Sequence, residues 1–417
     1  MWDPYAEFQS TTLPNGLSVY AAYWEGRPWE TIGFLIHSGA EQDPIGLEGL
    51  AHFVEHTVSR NTIVSQNELR AFFENCGGAI SLGTTGYPYT RYGLFVPADT
   101  AILAKAFSIF GHMLFSARIE ESIEYEREVI IGEFHEHYRT TLNLDLTIRE
   151  HKALFTGYWL ERFVRPLGNP KSVGQITKEQ LQSYYDTHYT PANMSIVCVG
   201  GMTLTELVKL LSESPFVVSK KGVRTPLPTP TIDVLPPLET RHVVNMSEHI
   251  TGPVEVGTYY SAAKIPGNIN GRVVRILEKM LNEVFEEEVR ERLALTYNIQ
   301  SSRHNFRYFY GFSINCSAFK LTAIDNIEEI VNFCIASLKD REDLFKRVKR
   351  HALTQNFMID PTGRSICEGA LDDLIEGQRI ISLEEIGNDL ERVTMDDVVG
   401  LLRWLRPEQR WTLIMRP

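Results

Sequence analysis

Apolar residues recur along this chain with two distinct periods. Leu47, Leu50, Val54 and Val58 return every three or four positions, which predicts a helix with one buried face. Residues 18–23 and 31–36 read as strands, and Leu13-Pro14-Asn15-Gly16-Leu17 carries the Asn-Gly signal of a hairpin turn. Ile80-Ser81-Leu82 and residues 91–96 are further strands. Long helical patterns follow from about residue 98 to 115 and from 119 to 139. This mixture predicts an α+β fold whose sheets are mainly antiparallel.

The pattern then repeats. Thr177 opens a short helix as its N-cap, with Gln180 placed to close a capping box; Pro191 and a strand at 195–199 follow. Thr394 opens another helix, and Pro407 and a strand at 411–415 follow at nearly the same spacing. Cap, helix, proline and strand occurring twice predict a duplicated domain. Between the copies, Pro215, Pro226, Pro228, Pro230, Pro236 and Pro237 crowd a stretch that can hold neither a helix nor an inner strand. The expected division is a first domain at 1–214, a linker at 215–240 and a second domain of the same fold at 241–417.

Composition agrees with that division and narrows the function. A chain of 417 residues is too long for one ordinary core, and 43% hydrophobic with 23% charged residues is typical of a soluble globular protein. The net charge of -12 disfavours nucleic acid as a partner. No apolar run is long enough to cross a bilayer, so no membrane partner is expected. The N-terminus has neither a basic start followed by an apolar stretch nor the Arg-rich character of an organellar presequence. Cys76, Cys198, Cys316, Cys334 and Cys367 are scattered and unpaired by spacing, as buried free thiols in a reducing compartment would be. A cytoplasmic location is the expectation.

The candidate chemistry lies on the helix predicted around residue 50. His52-Phe53-Val54-Glu55-His56 reads H-x-x-E-H, the inverted order of the commoner zinc-protease motif. On a helix, residues four apart share a face, so His52 and His56 can grip one metal ion. Glu55 lies beside that face, where a carboxylate can take a proton from water. A catalytic zinc site needs a third protein ligand. The acidic helix from about Ile119 offers Glu126 and Glu133, seven residues apart on one stripe, together with His135 and His137, which point to nearly opposite sides. Most of its other acids belong to a solvated face. Spacing alone leaves Glu126, Glu133 and His137 open as the third ligand.

Other sequence words surround the motif. Gly39-Ala40-Glu41 and Gly49-Leu50-Ala51 lead into it, and Glu74 and Gly77-Gly78 follow. Pro166-Leu167-Gly168 and Tyr189-Thr190-Pro191-Ala192-Asn193-Met194 lie further on. With these words the chain resembles the pitrilysin/insulinase family of zinc peptidases, in particular its half-length members related to mitochondrial processing peptidase. The resemblance implies Zn2+ held by His52, His56 and Glu133, with Glu126 as the partner that orients a ligand and Glu55 as general base. It further implies that Arg290 holds the peptide backbone, that Tyr297 donates to the oxyanion, and that an extended peptide lies along Ser81 and Leu82.

From the resemblance also come a chamber that admits short or unfolded peptides, and a dimer, most simply a homodimer, with a heterodimer of related subunits as the other arrangement. A zinc-dependent endopeptidase is the function implied. A non-catalytic partner subunit and a dedicated precursor-peptide maturase are the competing readings. The chain departs from the family pattern in several places. Ser81-Leu82 stands where Asn-Ala is common, the segment from 84 to 92 is one residue longer, and Thr57-Val58-Ser59-Arg60-Asn61-Thr62 and Glu286-Glu287-Glu288 replace common family words.

Overall fold

The structure is a computed structural model. It describes residues 2–60, 65–138, 141–155, 157–162, 165–217, 222–226, 234–246, 256–306, 308–358, 362–377 and 379–416. Contacts divide the chain into two compact units: Met1–Arg139, Arg162–Leu227 and Asp360–Leu383 form the first, and Thr140–Glu161, Pro228–Ile359 and Glu384–Pro417 the second.

In the first unit, β1 (Phe8–Thr12), β2 (Ser18–Tyr23) and β3 (Trp29–Ile36) precede α1 (Leu50–Arg60) and α2 (Gln66–Asn75). The hairpin β4 (Ala79–Thr85) and β5 (Thr90–Pro97) comes next, then α3 (Thr100–Phe115) and α4 (Ile123–His137). The element that follows, α5 (Thr141–Phe155), belongs to the other unit. The chain returns with α6 (Pro170–Gln175), α7 (Lys178–His188), β6 (Met194–Gly200) and α8 (Leu204–Ser212). The sheet runs β1-β2-β6-β3-β5-β4. Only β2 and β6 pair in parallel, so the expected mainly antiparallel sheet is what forms. The Asn-Gly turn joins β2 to β1, a strand that the weak alternation of Phe8-Gln9-Ser10-Thr11-Thr12 did not signal, and β6 lies between β2 and β3. One face of the sheet packs on α1 and α3 through Phe34, Phe53, Phe107 and Phe110, all fully buried.

The second unit repeats this plan. After β7 (Arg241–Asn245) and β8 (Val256–Pro266) come α9 (Gly271–Phe285), β9 (Asn298–Asn305), β10 (Phe309–Lys320), α10 (Ile327–Ser337) and α11 (Glu342–Phe357). Then α12 (Gly363–Ile375) departs to the first unit, and α13 (Leu383–Arg392), α14 (Met395–Leu401) and β11 (Arg410–Arg416) complete the fold. The sheet order β7-β11-β8-β10-β9 reproduces β2-β6-β3-β5-β4, including the single parallel pair. Thr394 and Asp397 close a capping box as Thr177 and Gln180 do.

The expected boundaries are corrected at two places. Residues 140–161 join the second unit and residues 360–383 the first. The reason is packing. On α5, Glu150 accepts a 2.7 Å hydrogen bond from Tyr260, the Leu154 carbonyl accepts from buried Lys264, and Phe155 stacks on Phe309 at 5.7 Å. On α12, Cys367 and Leu371 lie against the backbone of Gly33, and Asp372 sits 3.7 Å from Arg91. Each helix buries its apolar stripe on the sheet of the other sequence half, which periodicity along one chain cannot assign. Of the expected linker, 222–226 lies on the first unit, where Thr225 N–H donates to Asn193, and Leu238 N–H donates to Ala153 of the second; 218–221 and 227–233 fall outside the described residues.

Candidate metal centre

α1 is amphipathic in an unusual sense. Leu50, Ala51, Phe53, Val54 and Val58 enter the core, while His52, Glu55 and His56 line the opposite side. Asp43 holds its N-terminus, accepting from the N–H groups of Gly49 at 2.7 Å and Ala51 at 2.8 Å. Burial pushes the Asp43 carboxyl up to about 8, against those two hydrogen bonds and the nearby Arg162. α4 lies along α1, with the Arg127 guanidinium 5.2 Å over the Phe53 ring. Glu126, Ile130 and Glu133 recur on α4 at helical spacing, and this stripe meets the His pair.

The distances decide among the open candidates. His52 Nε2 is 3.7 Å from Glu133 Oε2, and His56 Nε2 is 3.7 Å from Glu133 Oε1. Glu126 instead accepts from His56 Nδ1 at 3.0 Å and from Arg60 Nε at 3.1 Å. It therefore fixes the His56 ring so that Nε2 faces Glu133. His137 is close enough to depress the His52 pKa, but it has no place in the tightest donor cluster, which among the described residues is His52, Glu55 and His56. That cluster leaves open whether Glu55 or Glu133 is the third ligand. Glu55 Oε2 is 4.0 Å from His52 Nε2 and already accepts from Thr85 at 3.1 Å, whereas each Glu133 oxygen faces one imidazole.

The donor set suits zinc. Tetrahedral bonds of about 2.0–2.1 Å put donor atoms about 3.3–3.4 Å apart, and the two Nε2–carboxylate separations of 3.7 Å lie close to that. Burial, with His56 and His137 nearby, pushes His52 down to about 3, so it is neutral as a ligand must be. Burial acts on His56 in the same direction, but its hydrogen bond to Glu126 and the carboxylates of Glu55 and Glu133 outweigh it and hold its pKa above the ordinary value.

Glu55 is 7% exposed. Burial pushes its carboxyl up to about 7, opposed by His56 and the Thr85 hydrogen bond. A carboxyl tuned to that range is suited to take and return a proton near neutrality. Gly83 makes room for it: a Cβ there would sit 2.1 Å from Glu55 Oε1. Neither Gly83 nor Thr85 was singled out from sequence, although a lone Gly inside a strand pattern is a known sign of a bulge. Here the register slips between Ser81 and Thr84, so β4 carries one residue more than β5 across Leu82 and Gly83.

Of the two substrate-strand residues, Ser81 is exposed on the outermost strand. Leu82 is a correction: its side chain packs against the core and its carbonyl accepts from Ser59, so only Ser81 turns its side chain away from the core. Arg290 and Tyr297 lie in the second unit. Arg290 is on the π-helical turn Glu286–Arg292, 3.2 Å from Glu286, with its guanidinium 5.4 Å from the Tyr297 ring, and Tyr297 is 81% exposed. α9, the counterpart of α1 in chain order, carries no His or Cys, so this helix of the second copy offers no such donor pair.

Comparison with known proteins agrees with the geometry. The model of the insulinase family, peptidase family M16, matches residues 25–163, and that of the peptidase M16 inactive domain matches 175–351. The chain belongs to the M16 family of peptidases. Relatives of this M16 chain include the mitochondrial-processing peptidase subunit beta of Neurospora crassa, 30% identical over 205 residues, which is 48% of this chain and 42% of that protein. An uncharacterized zinc protease of Streptomyces coelicolor is 24% identical over 401 residues, 92% of this chain and 79% of that one. The matched stretch thus spans less than half the length of the processing-peptidase relatives. A crystal structure of a protease from Helicobacter pylori shares the fold with a TM-score of 0.80 and 17% identity, over 100% of both chains. Among the described residues no helix is long and apolar enough to cross a membrane.

Proposed function

We propose that this M16 protein is a zinc-dependent endopeptidase acting on extended peptides. The observation that carries the reading is the convergence of His52 Nε2, His56 Nε2 and the Glu133 carboxylate, with the buried Glu55 carboxyl beside them. Zinc held by His52, His56 and Glu133 would supply Lewis acidity and make water a nucleophile near neutral pH. Glu55 removes a proton from water and passes it to the leaving amine, its carboxylate held in place by Thr85. Glu126 keeps the His56 ring oriented. The outer edge of β4, unpaired among the described residues, offers backbone groups for an extended chain to pair with, beside Glu55.

Arg290 and Tyr297 enter this reading as donor groups, a fixed guanidinium fork and an exposed phenol suited to backbone and oxyanion. A dimer is part of the same proposal. The processing-peptidase relatives are named as subunits, and a second copy of this chain is the simpler partner. The test is zinc content together with cleavage of a peptide library, with and without chelator, for wild type and Glu55→Gln. Zinc-dependent cleavage lost in Glu55→Gln is expected. A protein that binds no zinc, or a Glu55→Gln variant that cleaves equally well, would leave the non-catalytic subunit as the function.

A further inference from the structure

One row of residues, on the α12 side of the first sheet, differs in kind between the two copies of the fold. In the first unit, Ser81, Gly93 and Gly33 pair across β4, β5 and β3. A Cβ at Gly33 would meet Leu371 Cδ1 at 2.6 Å and Cys367 Sγ at 3.2 Å, so this row faces α12. At Gly93 the space is open: an added Cβ would find only the Ile32 carbonyl at 3.5 Å and Ser81 Cβ at 3.9 Å. Above it lies a cavity of about 390 Å³, with Ala79, Ser81 and Gly93 as its floor and Phe95, Leu371 and Arg91 around it.

The second unit shows what the same row holds when it is filled. Val197 and Leu413 both stand six residues after their prolines, Pro191 and Pro407. Val197 pairs with Gly33, and Leu413 with Tyr260. Tyr260 pairs in turn with Asn315, and Asn315 with Gln300. Thus Ser, Gly and Gly in one copy stand where the other has Gln, Asn and Tyr, and there Tyr260 spans to Glu150 of α5. Gly within a strand weakens it and often marks a bulge, a tight bend or the close approach of a ligand or another backbone; Gly93 pairs regularly with Gly33 and Ser81, which leaves the last.

The position of the row says what approaches. Ser81 lies on β4, the outermost strand of the sheet, and is exposed. A peptide added to that edge alternates its side chains between the two faces, and every second one falls on the α12 side. With strands about 4.8 Å apart, its backbone lies about 10 Å from Gly93, so only a long side chain reaches across Ser81 into the cavity. The nearby charges are already paired, Arg91 with Asp372 at 3.7 Å and Arg364 with Glu368 at 3.5 Å, while Phe95 is 40% exposed. We propose that this cavity is a specificity subsite for a long apolar side chain, such as Phe or Met, of a peptide bound along β4. The inference rests on the peptidase reading above.

Two peptide sets, with Phe or Ala swept through each position, test it in wild type and Gly93→Val. Wild type is expected to favour Phe at one position by about tenfold in kcat/KM, the scale of burying an aromatic side chain. In Gly93→Val the added isopropyl fills the floor and brings that ratio close to one. The same peptides titrated onto Glu55→Gln and Glu55→Gln/Gly93→Val should show the same collapse in affinity ratio. A Phe preference that survives in folded Gly93→Val overturns the subsite. Wild type that cleaves nothing overturns only the peptidase reading, because the affinity ratios still decide the subsite. Should Gly93→Val fail to fold, Gly93→Ala replaces it: a smaller fall in the ratio supports the subsite and an unchanged ratio refutes it.

Discussion

On the proposed reading, Gly83→Ala should abolish peptide cleavage while leaving zinc binding intact. The new Cβ would sit 2.1 Å from Glu55 Oε1, 2.5 Å from Cδ and 2.6 Å from Cγ. Ordinary contact needs about 3.5 Å, so the carboxylate must retreat by more than about 1 Å. The carboxylate is the end of a flexible side chain and can move, so the steric cost to stability is small. The backbone is less forgiving: φ is +147° at Gly83, and a side chain in that region costs on the order of 1–3 kcal/mol. A fall in Tm of about 2–10 °C follows for a unit of this size. The loss in rate is larger in consequence. A misplacement of about 1 Å costs on the order of 100-fold, or about 2.7 kcal/mol in the barrier.

The assay is steady-state cleavage of a fluorogenic peptide, paired with zinc content by elemental analysis. Gly83→Ala should keep its zinc, since the three atoms nearest its Cβ all belong to Glu55, at 2.1–2.6 Å. Because both changes act through one carboxylate, Gly83→Ala/Glu55→Gln should be no slower than Glu55→Gln alone. Activity within about threefold of wild type, or a double variant slower by the full product of the two factors, would refute the assignment of Glu55 as base.

Glu126→Gln removes the charge that holds His56 Nδ1 at 3.0 Å, so a competitive chelator titration should show zinc affinity about 10–100-fold weaker. Glu30 is fully buried and accepts from Met202 N–H at 3.0 Å, and burial pushes its carboxyl up from 4.5 to about 8. The folded chain then holds a proton that the unfolded chain has lost. This stability is fully present below pH 4.5 and drains away as pH rises through about 8. Its size is on the order of a few kcal/mol, and thermal melts of Glu30→Gln should fall less steeply with pH over that window than those of wild type. Tyr297→Phe should leave Tm unchanged, because the side chain is 81% exposed, and should lower kcat by about 100-fold if the phenol serves the oxyanion; unchanged kcat removes it from the reaction.

The sequence by itself determined what short-range periodicity and local chemistry can carry. The spacing of Leu50, Val54 and Val58 set one face of α1 into the core and left His52 and His56 on the other. The helix starts at Thr177 and Thr394, each followed by a proline and a strand, marked the duplication, and the prolines marked where one copy gives way to the next. Tertiary structure alone decided the rest. Glu133 could not be separated from Glu126 by spacing, because seven residues on one helix share a stripe; the docking of α4 on α1 aims one at both Nε2 atoms and the other at Nδ1. Leu82 could not be told from Ser81, because the two alternate across a strand whose buried side depends on its neighbours. The exchange of α5 and α12 was equally hidden, since an amphipathic helix states that it has a face to bury and not which sheet will cover it. The pentapeptide of α1 offers two imidazoles and a carboxylate from local geometry. The carboxylate that faces both imidazoles and the room for Glu55 come from α4 and β4, whose positions are set by long-range packing.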